Sequence, residues 1–400
     1  MGLVMEHYLD NSSTTKPSRA ATEALERALS VWGNPSSVHG LGQRAASLLR
    51  DSRKAVAKSL GMPAVGGDRL IFTSSGTEAN NIAVIGSFRA KKRDYQNPGT
   101  IIISDGEHPS IDMPATMLEA EGCRVIRVPT TGGVLDLDYL KNALESASSP
   151  VFFAGFMLVN NETGAVYDVK SAAGLVKRYY PDAVVHCDAV QGYMKLKFTP
   201  YTLGVDTLSV SAHKIHSFRG AAALYVSAEV VRRKNIVAVM PGGGQEEGFR
   251  SGTENLLAIA AFSAAAEEAR ANLAGNIARV EELRGRLEEA ISSLDVRVSR
   301  PSGKYLANIC SLVLPGIRSE TMLNFLSGRG VYVSAGSACA ANSKKKSAAL
   351  TAFGVSDADM DSTIRVSISH TNTEEDIDAL VAALTDGIAS LQRVAGARKR

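Results

Sequence analysis

Four hundred residues with 45% apolar side chains can bury a large core and, by length, predict two or three domains. The 44 basic and 41 acidic residues leave a net charge of +3, which carries no signature of a nucleic-acid or membrane partner. No apolar run nears the roughly 18 residues needed to span a bilayer, no signal-peptide pattern opens the chain, and Cys123, Cys187, Cys310 and Cys339 lack a CxxC, so a cytoplasmic protein without disulfides or zinc is expected.

In chain order, the polar run Tyr8-Leu9-Asp10-Asn11-Ser12-Ser13-Thr14-Thr15 precedes a helix expected over residues 18–29. Gly33-Asn34-Pro35-Ser36-Ser37 has loop composition, and a long amphipathic helix is expected over 40–60. Arg69-Leu70-Ile71-Phe72 reads as a strand running into Thr73-Ser74-Ser75-Gly76-Thr77 and a further helix. A strand, a small-residue turn and a helix N-terminus suit an anion, because unpaired N–H groups and the helix dipole both favour negative charge. Ser75, Gly76 and Thr77 are the candidate phosphate cradle, although an ordinary Ser/Thr cap would read the same way. The turn is not a GxGxxG and does not point to a dinucleotide. A strand over 100–104 exits into Asp105-Gly106-Glu107-His108, ahead of a helix over 111–121. There His108 is either structural or an imidazole that stacks on an aromatic cofactor and moves protons near neutral pH. Further strands are expected over 125–128 and 151–159, the second leading to Asn160-Asn161-Glu162.

Ala183-Val184-Val185-His186-Cys187-Asp188 is an apolar run ending in a carboxylate, and Thr207-Leu208-Ser209-Val210-Ser211 is a second leading to Ala212-His213-Lys214. An Asp and a Lys at the ends of neighbouring strands point at one crevice on the carboxyl side of a sheet, where open α/β sheets bind ligands. The two form either an internal ion pair or the anchor of pyridoxal 5'-phosphate (PLP), which takes a lysine at its aldehyde carbon and an acid beside its pyridine nitrogen. The alternation of strands and helices to about residue 226 predicts a doubly wound, mostly parallel sheet.

Beyond it, Arg250 and Thr253 either reach a phosphate or belong to a polar loop. A helical stretch over 254–294, with a break expected near Gly275, leads to a smaller α+β domain. Its strands are expected over 309–314, 331–333 and 364–369, and its helices over 320–326 and from 373 onward. The expected division is 15–260 for the large domain and 261–400 for the small one, joined by residues 1–14. The small-residue loop over 334–343 carries Cys339 without apolar periodicity. A free Cys commonly packs as a small hydrophobe. On such a loop a thiol can travel, and Lys344, Lys345 and Lys346, otherwise a solvated run, would favour its thiolate.

Together these segments resemble the cysteine desulfurases, class V PLP-dependent enzymes of fold type I. The likeness runs over nearly the whole chain. It rests on Gly33 to Ser37, Thr73 to Asn81, Val159-Asn160-Asn161-Glu162, His186 to Gln191, Ser211-Ala212-His213-Lys214, Arg250-Ser251-Gly252-Thr253 and Gly336-Ser337-Ala338-Cys339. The resemblance implies that Lys214 holds the cofactor, Asp188 partners its pyridine nitrogen, Gln191 meets its phenolic oxygen, and His108 stacks on its ring and shuttles protons. Thr77, Ser211 and His213, with Gly76 in the cradle, would hold the phosphate, joined by Thr253 from the other subunit of a homodimer. Asn161 and Arg365 would bind the substrate carboxylate, for which a guanidinium fork is well shaped. Cys339 would be the nucleophile. The implied reaction turns L-cysteine into L-alanine, with sulfur held on Cys339 as a persulfide. It then passes to an acceptor protein in iron–sulfur cluster assembly or tRNA thiolation. The alternative is a class V aminotransferase or a selenocysteine/cysteine lyase in which Cys339 is incidental. The sequence departs from the family pattern at His216 to Arg219, at Ala340 to Lys346, at Glu247 and at His370.

Overall fold

The computed structural model describes residues 5–92, 99–335 and 346–397. Strand β1 (His7–Tyr8) stands outside the larger sheet. That sheet comprises β2 (Arg69–Thr73), β3 (Thr100–Ser104), β4 (Arg124–Val128), β5 (Val151–Met157), β6 (Val184–Asp188), β7 (Thr207–Ser211) and β8 (Ala222–Val226). Their order is β2-β8-β7-β6-β5-β3-β4, and every neighbouring pair is parallel except the two made by β8.

Strands β3 and β5 to β8 are buried at every position, the unbroken pattern that a sheet covered on both faces requires. Successive side chains go to opposite faces. Ile101 and Ile103 pack with Ile82, Phe88 and Ile111 on one side, whereas Ile102 joins Phe156, Val185 and Leu208 on the other. Helices Gly76–Lys92 and Pro109–Ala120 cover the first face. Helices Arg19–Ala28, Gly40–Ser59, Leu137–Glu145, Val169–Tyr179 and Leu256–Ala271 cover the second. Ser18, Asp136, Asp168 and Asn255 start four of them by accepting from backbone N–H groups that the first turn leaves unpaired. The helical break expected near Gly275 is present at Asn272, between helices Leu256–Ala271 and Leu273–Ile291, with Gly275 inside the second. At the break Asn272 leaves helical dihedrals (φ −106°, ψ 8°), and its side-chain amide donates to the Glu268 carbonyl at 3.0 Å beside its own N–H at 3.2 Å.

The smaller sheet is antiparallel, ordered β12 (Ser334–Ala335), β13 (Thr363–Ser367), β10 (Ile309–Val313) and β9 (Arg297–Val298). Leu312, Ile364 and Val366 share one core with Leu287, Met322, Leu380 and Leu384 from helices Leu273–Ile291, Ser319–Ser327 and Glu374–Ala397. Leu9 is buried in that core, and β1 pairs in parallel with β11 (Val331–Tyr332). The chain then crosses to the larger sheet. Asn11 N–H donates to the Ser367 carbonyl at 3.2 Å, and Thr15 N–H to the His213 carbonyl at 2.9 Å. Residues 9–15 are thus a strap over the carboxyl edge of the large sheet. No helix among the described residues is long and apolar enough to cross a membrane.

Candidate active site

The carboxyl ends of β2, β3, β5, β6 and β7 open beneath this strap into a cleft of about 310 Å³. Gly76, Thr77, His108, Asn161, Asp188, Gln191, Ser211, His213, Lys214 and Arg365 all line it. Thr253 is exposed and does not line it, and Arg250 is engaged by Glu78 at 2.8 Å. Cys339 lies outside the described residues, as does the rest of 336–345.

Parallel register sets Met157, Asp188 and Ser209 side by side at the sheet edge. The Asp188 carboxylate accepts from Val190 N–H at 3.0 Å and from the Asn80 amide at 2.7 Å, so its two oxygens are fixed by different elements. Asn80 accepts in turn from His186, whose pKa burial pushes down to about 3. Near Asp188 lies Glu107, whose carboxyl accepts from Ser104 Oγ at 2.5 Å and Met157 N–H at 2.7 Å. Burial pushes its pKa up to about 8, and the charges of Asp188 and Asp112 add to the rise.

The lysine sits opposite this acid. Lys214 Nζ donates to the main-chain carbonyls of Ser12 and, at 2.8 Å, Ser13. Gln191 Nε2 donates to the Ser12 carbonyl at 2.9 Å. His213 Nδ1 lies 3.2 Å from Thr14 Oγ1, and its pKa is pushed down to about 4 by burial and then by Lys214, Arg219 and Lys195. His108 caps helix Pro109–Ala120 through Nδ1; burial lowers its pKa, with Asp188 opposing and Lys214 adding to the shift. From β13, Arg365 enters the cleft only 3% exposed. Its fork donates to Asp10 Oδ1 at 2.9 Å, Ser13 Oγ at 2.7 Å and the Asn161 carbonyl at 2.9 Å.

The family description "Aminotransferase class-V" matches residues 7–380 of this chain. A cysteine desulfurase of Rhodobacter capsulatus is 36% identical over 392 residues, covering 97% of each chain. A NifS/IcsS protein homolog of Lactobacillus delbrueckii subsp. bulgaricus is 36% identical, covering 95% of this chain and 96% of its own. The chain belongs to the cysteine desulfurase family. Its fold is that of the family as well: the structure of a NifS-like protein from Rickettsia africae superposes with a TM-score of 0.84 at 30% identity, covering 96% of this chain and 99% of that one. The α/β, mostly parallel large sheet and the smaller α+β layer are therefore the fold-type-I architecture expected from the sequence.

The family uses PLP, and the residues present fit it. A Cβ at Gly76 would lie 3.0 Å from Val190 Cγ2 and 3.7 Å from Ser211 Cβ, so a side chain there would fill the cradle. Ser211 Oγ and Arg365 Nε are buried without a hydrogen-bond partner among the described residues. Such atoms are costly to leave unpaired, and each suits one anionic oxygen: a phosphate beside Gly76, a carboxylate beside Asn161. Cys123, Cys187 and Cys310 are buried and do not line the cleft, and burial raises the Cys187 and Cys310 pKa values, the latter to about 11.

The sequence reading missed Asp10, Asn80, Glu107, Ser110 and the strap carbonyls as parts of this site. Asp10 is 355 residues from Arg365, and no periodicity signals such a contact. Two departures from the family pattern prove to be neighbours, since His216 and His370 meet edge to face with ring centroids 4.8 Å apart. A third, Glu247, pairs with Arg69.

Proposed function

We propose that this chain is a PLP-dependent cysteine desulfurase that converts L-cysteine to L-alanine and takes the sulfur onto Cys339 as a persulfide. The observation that carries the reading is the convergence of the helix start at Gly76, Asp188, Lys214 and Arg365 on one cleft, in a chain with cysteine desulfurases among its full-length relatives. Bound PLP supplies an aldehyde carbon for an amine and a pyridine ring that takes up negative charge. Thr77, Ser211, His213 and the N–H groups at the start of helix Gly76–Lys92 would hold its phosphate, with Thr253 of the partner subunit completing the cradle in a homodimer. Asp188 would face the pyridine nitrogen, Gln191 the phenolic oxygen and His108 the ring.

Lys214 would hold the aldehyde carbon and, once the substrate amine displaces it, take the Cα proton as a neighbouring base. Arg365 and Asn161 would bind the substrate carboxylate, which takes the place of Asp10 on the guanidinium fork. The thiolate of Cys339 then attacks the substrate sulfur. A sulfur–sulfur bond forms, the carbon–sulfur bond breaks with its electron pair left on Cβ, and two protons complete alanine: one from His108 or Lys214 at Cβ, and the one that Lys214 took, returned to Cα. Splitting sulfur transfer through a covalent enzyme species divides one hard step into two. An acceptor protein, in iron–sulfur cluster assembly or tRNA thiolation, and a cytoplasmic setting belong to the same proposal.

The test is L-cysteine turnover by wild type and Cys339→Ala, following alanine and sulfide, with the visible absorbance of bound PLP recorded alongside. The proposal requires alanine from wild type and its loss in a variant that still binds PLP. Undiminished alanine production by the variant would make the thiol incidental and turn the assignment to a cysteine lyase, and no alanine from wild type would turn it to an aminotransferase.

A further inference from the structure

We infer that Asn80 and Ser110 are positioning residues that keep the proton of neutral His108 on Nε2. One carboxylate oxygen of Asp188 lies 2.7 Å from the Asn80 amide nitrogen. Turning that amide over would set its carbonyl oxygen against the carboxylate, so the assignment of nitrogen and oxygen is forced by charge. The second N–H of the same nitrogen then donates to Ser110 Oγ at 2.8 Å. Asn80 Oδ1, 3.0 Å from His186 Nε2, must accept, so His186 carries its proton on Nε2 and accepts at Nδ1 from Thr207 Oγ1 at 2.9 Å. Asn80 is 1% exposed and His186 is fully buried, so water does not offer these groups other partners.

Ser110 Oγ already accepts from Asn80, which leaves its own hydrogen for His108 Nδ1 at 2.7 Å. Ser110 N–H points at the same nitrogen from 3.1 Å. With two donors aimed at Nδ1, a proton cannot sit there without reversing the hydroxyl and opposing the backbone N–H. Nε2 therefore carries the ring proton, and it is the nitrogen left for the cleft that His108 lines. Among the described residues, Asp188 at the end of β6 and Lys214 after β7 are the charges acting on the ring, the first favouring its protonation and the second opposing it. The donors on Nδ1 add to that opposition. One amide thus couples the acid that faces the cofactor to the tautomer of the imidazole that moves protons.

The role given to His108 rests on the proposed desulfurase reading, whereas its tautomer can be read without turnover. Long-range 1H–15N spectra of 15N-histidine-labelled holoenzyme, with His108 assigned by loss of its signals in His108→Gln, should show Nε2 protonated and Nδ1 as an acceptor. Ser110→Ala and Asn80→Ala should each mix the tautomers. Ser110→Ala should also raise the His108 protonation midpoint by about half a pH unit to one unit, the worth of one hydrogen bond. Ser110→Thr, which keeps the hydroxyl, should restore both. Nδ1 protonated in wild type, or an unchanged tautomer and midpoint in Ser110→Ala, would overturn the inference. The wild-type and Ser110 spectra decide it even should Asn80→Ala fail to fold. Absent cysteine turnover with the expected spectra would count against the desulfurase reading alone.

Discussion

Glu107→Gln isolates the cost of a carboxyl buried near Asp188. Glu107 is 5% exposed, accepts two hydrogen bonds on one oxygen, and has its other oxygen buried without a partner among the described residues. Its pKa rises from 4.5 to about 8, chiefly through burial. Between those values the folded protein retains a proton that the unfolded chain has released. Stability is therefore intact below the lower value and falls as pH rises, by about 1.4 kcal/mol per unit and about 4–5 kcal/mol over the whole window. That is a large share of the roughly 5–15 kcal/mol typical of a folded protein. Glutamine can accept from Ser104 and Met157 as the protonated acid does, but buries an extra unpaired N–H, a pH-independent loss of about 1–3 kcal/mol. In urea unfolding at pH 4.5, 7 and 8.5, the variant should start less stable than wild type, overtake it between about pH 5 and 7, and lead by most at the alkaline end. A difference between the two proteins that does not change with pH would refute the reasoning.

Arg365→Lys keeps the charge but loses the fork that meets Asp10, Ser13 and Asn161. kcat/KM for L-cysteine should fall by about 10²-fold, or about 3 kcal/mol, with PLP content unchanged; a loss below threefold would remove Arg365 from carboxylate binding. Glu246→Ala should cost about 2–4 kcal/mol in denaturant unfolding. Glu246 is 5% exposed and receives the Arg53 fork at 2.6 and 2.8 Å and Phe72 N–H at 2.8 Å, so its loss strands three donors. A change under about 0.5 kcal/mol would mean that water or Glu247 takes its place.

The sequence by itself determined most strands of the larger sheet, several helices and, through the family resemblance, the kind of chemistry, but not the short strands β1, β9 and β12. Buried runs such as Val184 to Asp188 are local signals, because a strand covered on both faces must be apolar throughout. The Ser75-Gly76-Thr77 turn is equally local, since its anion preference comes from the backbone of one helix start. Asp188 and Lys214 were legible because one ends β6 and the other closely follows β7, and parallel strands bring their carboxyl ends to one edge. Tertiary structure alone decided how those groups are held. The parallel pairing of β1 with β11 carries Asp10 to Arg365 and the Ser12 and Ser13 carbonyls to Lys214. The tautomer of His108 depends on Asn80 and Ser110, residues from two helices that meet only on one face of the sheet. Apart from His108 with Ser110, which are two residues apart, such contacts join positions tens to hundreds of residues apart. Their signal lies in no periodicity or spacing, because a hydrogen bond is set by distance in space and not by distance along the chain.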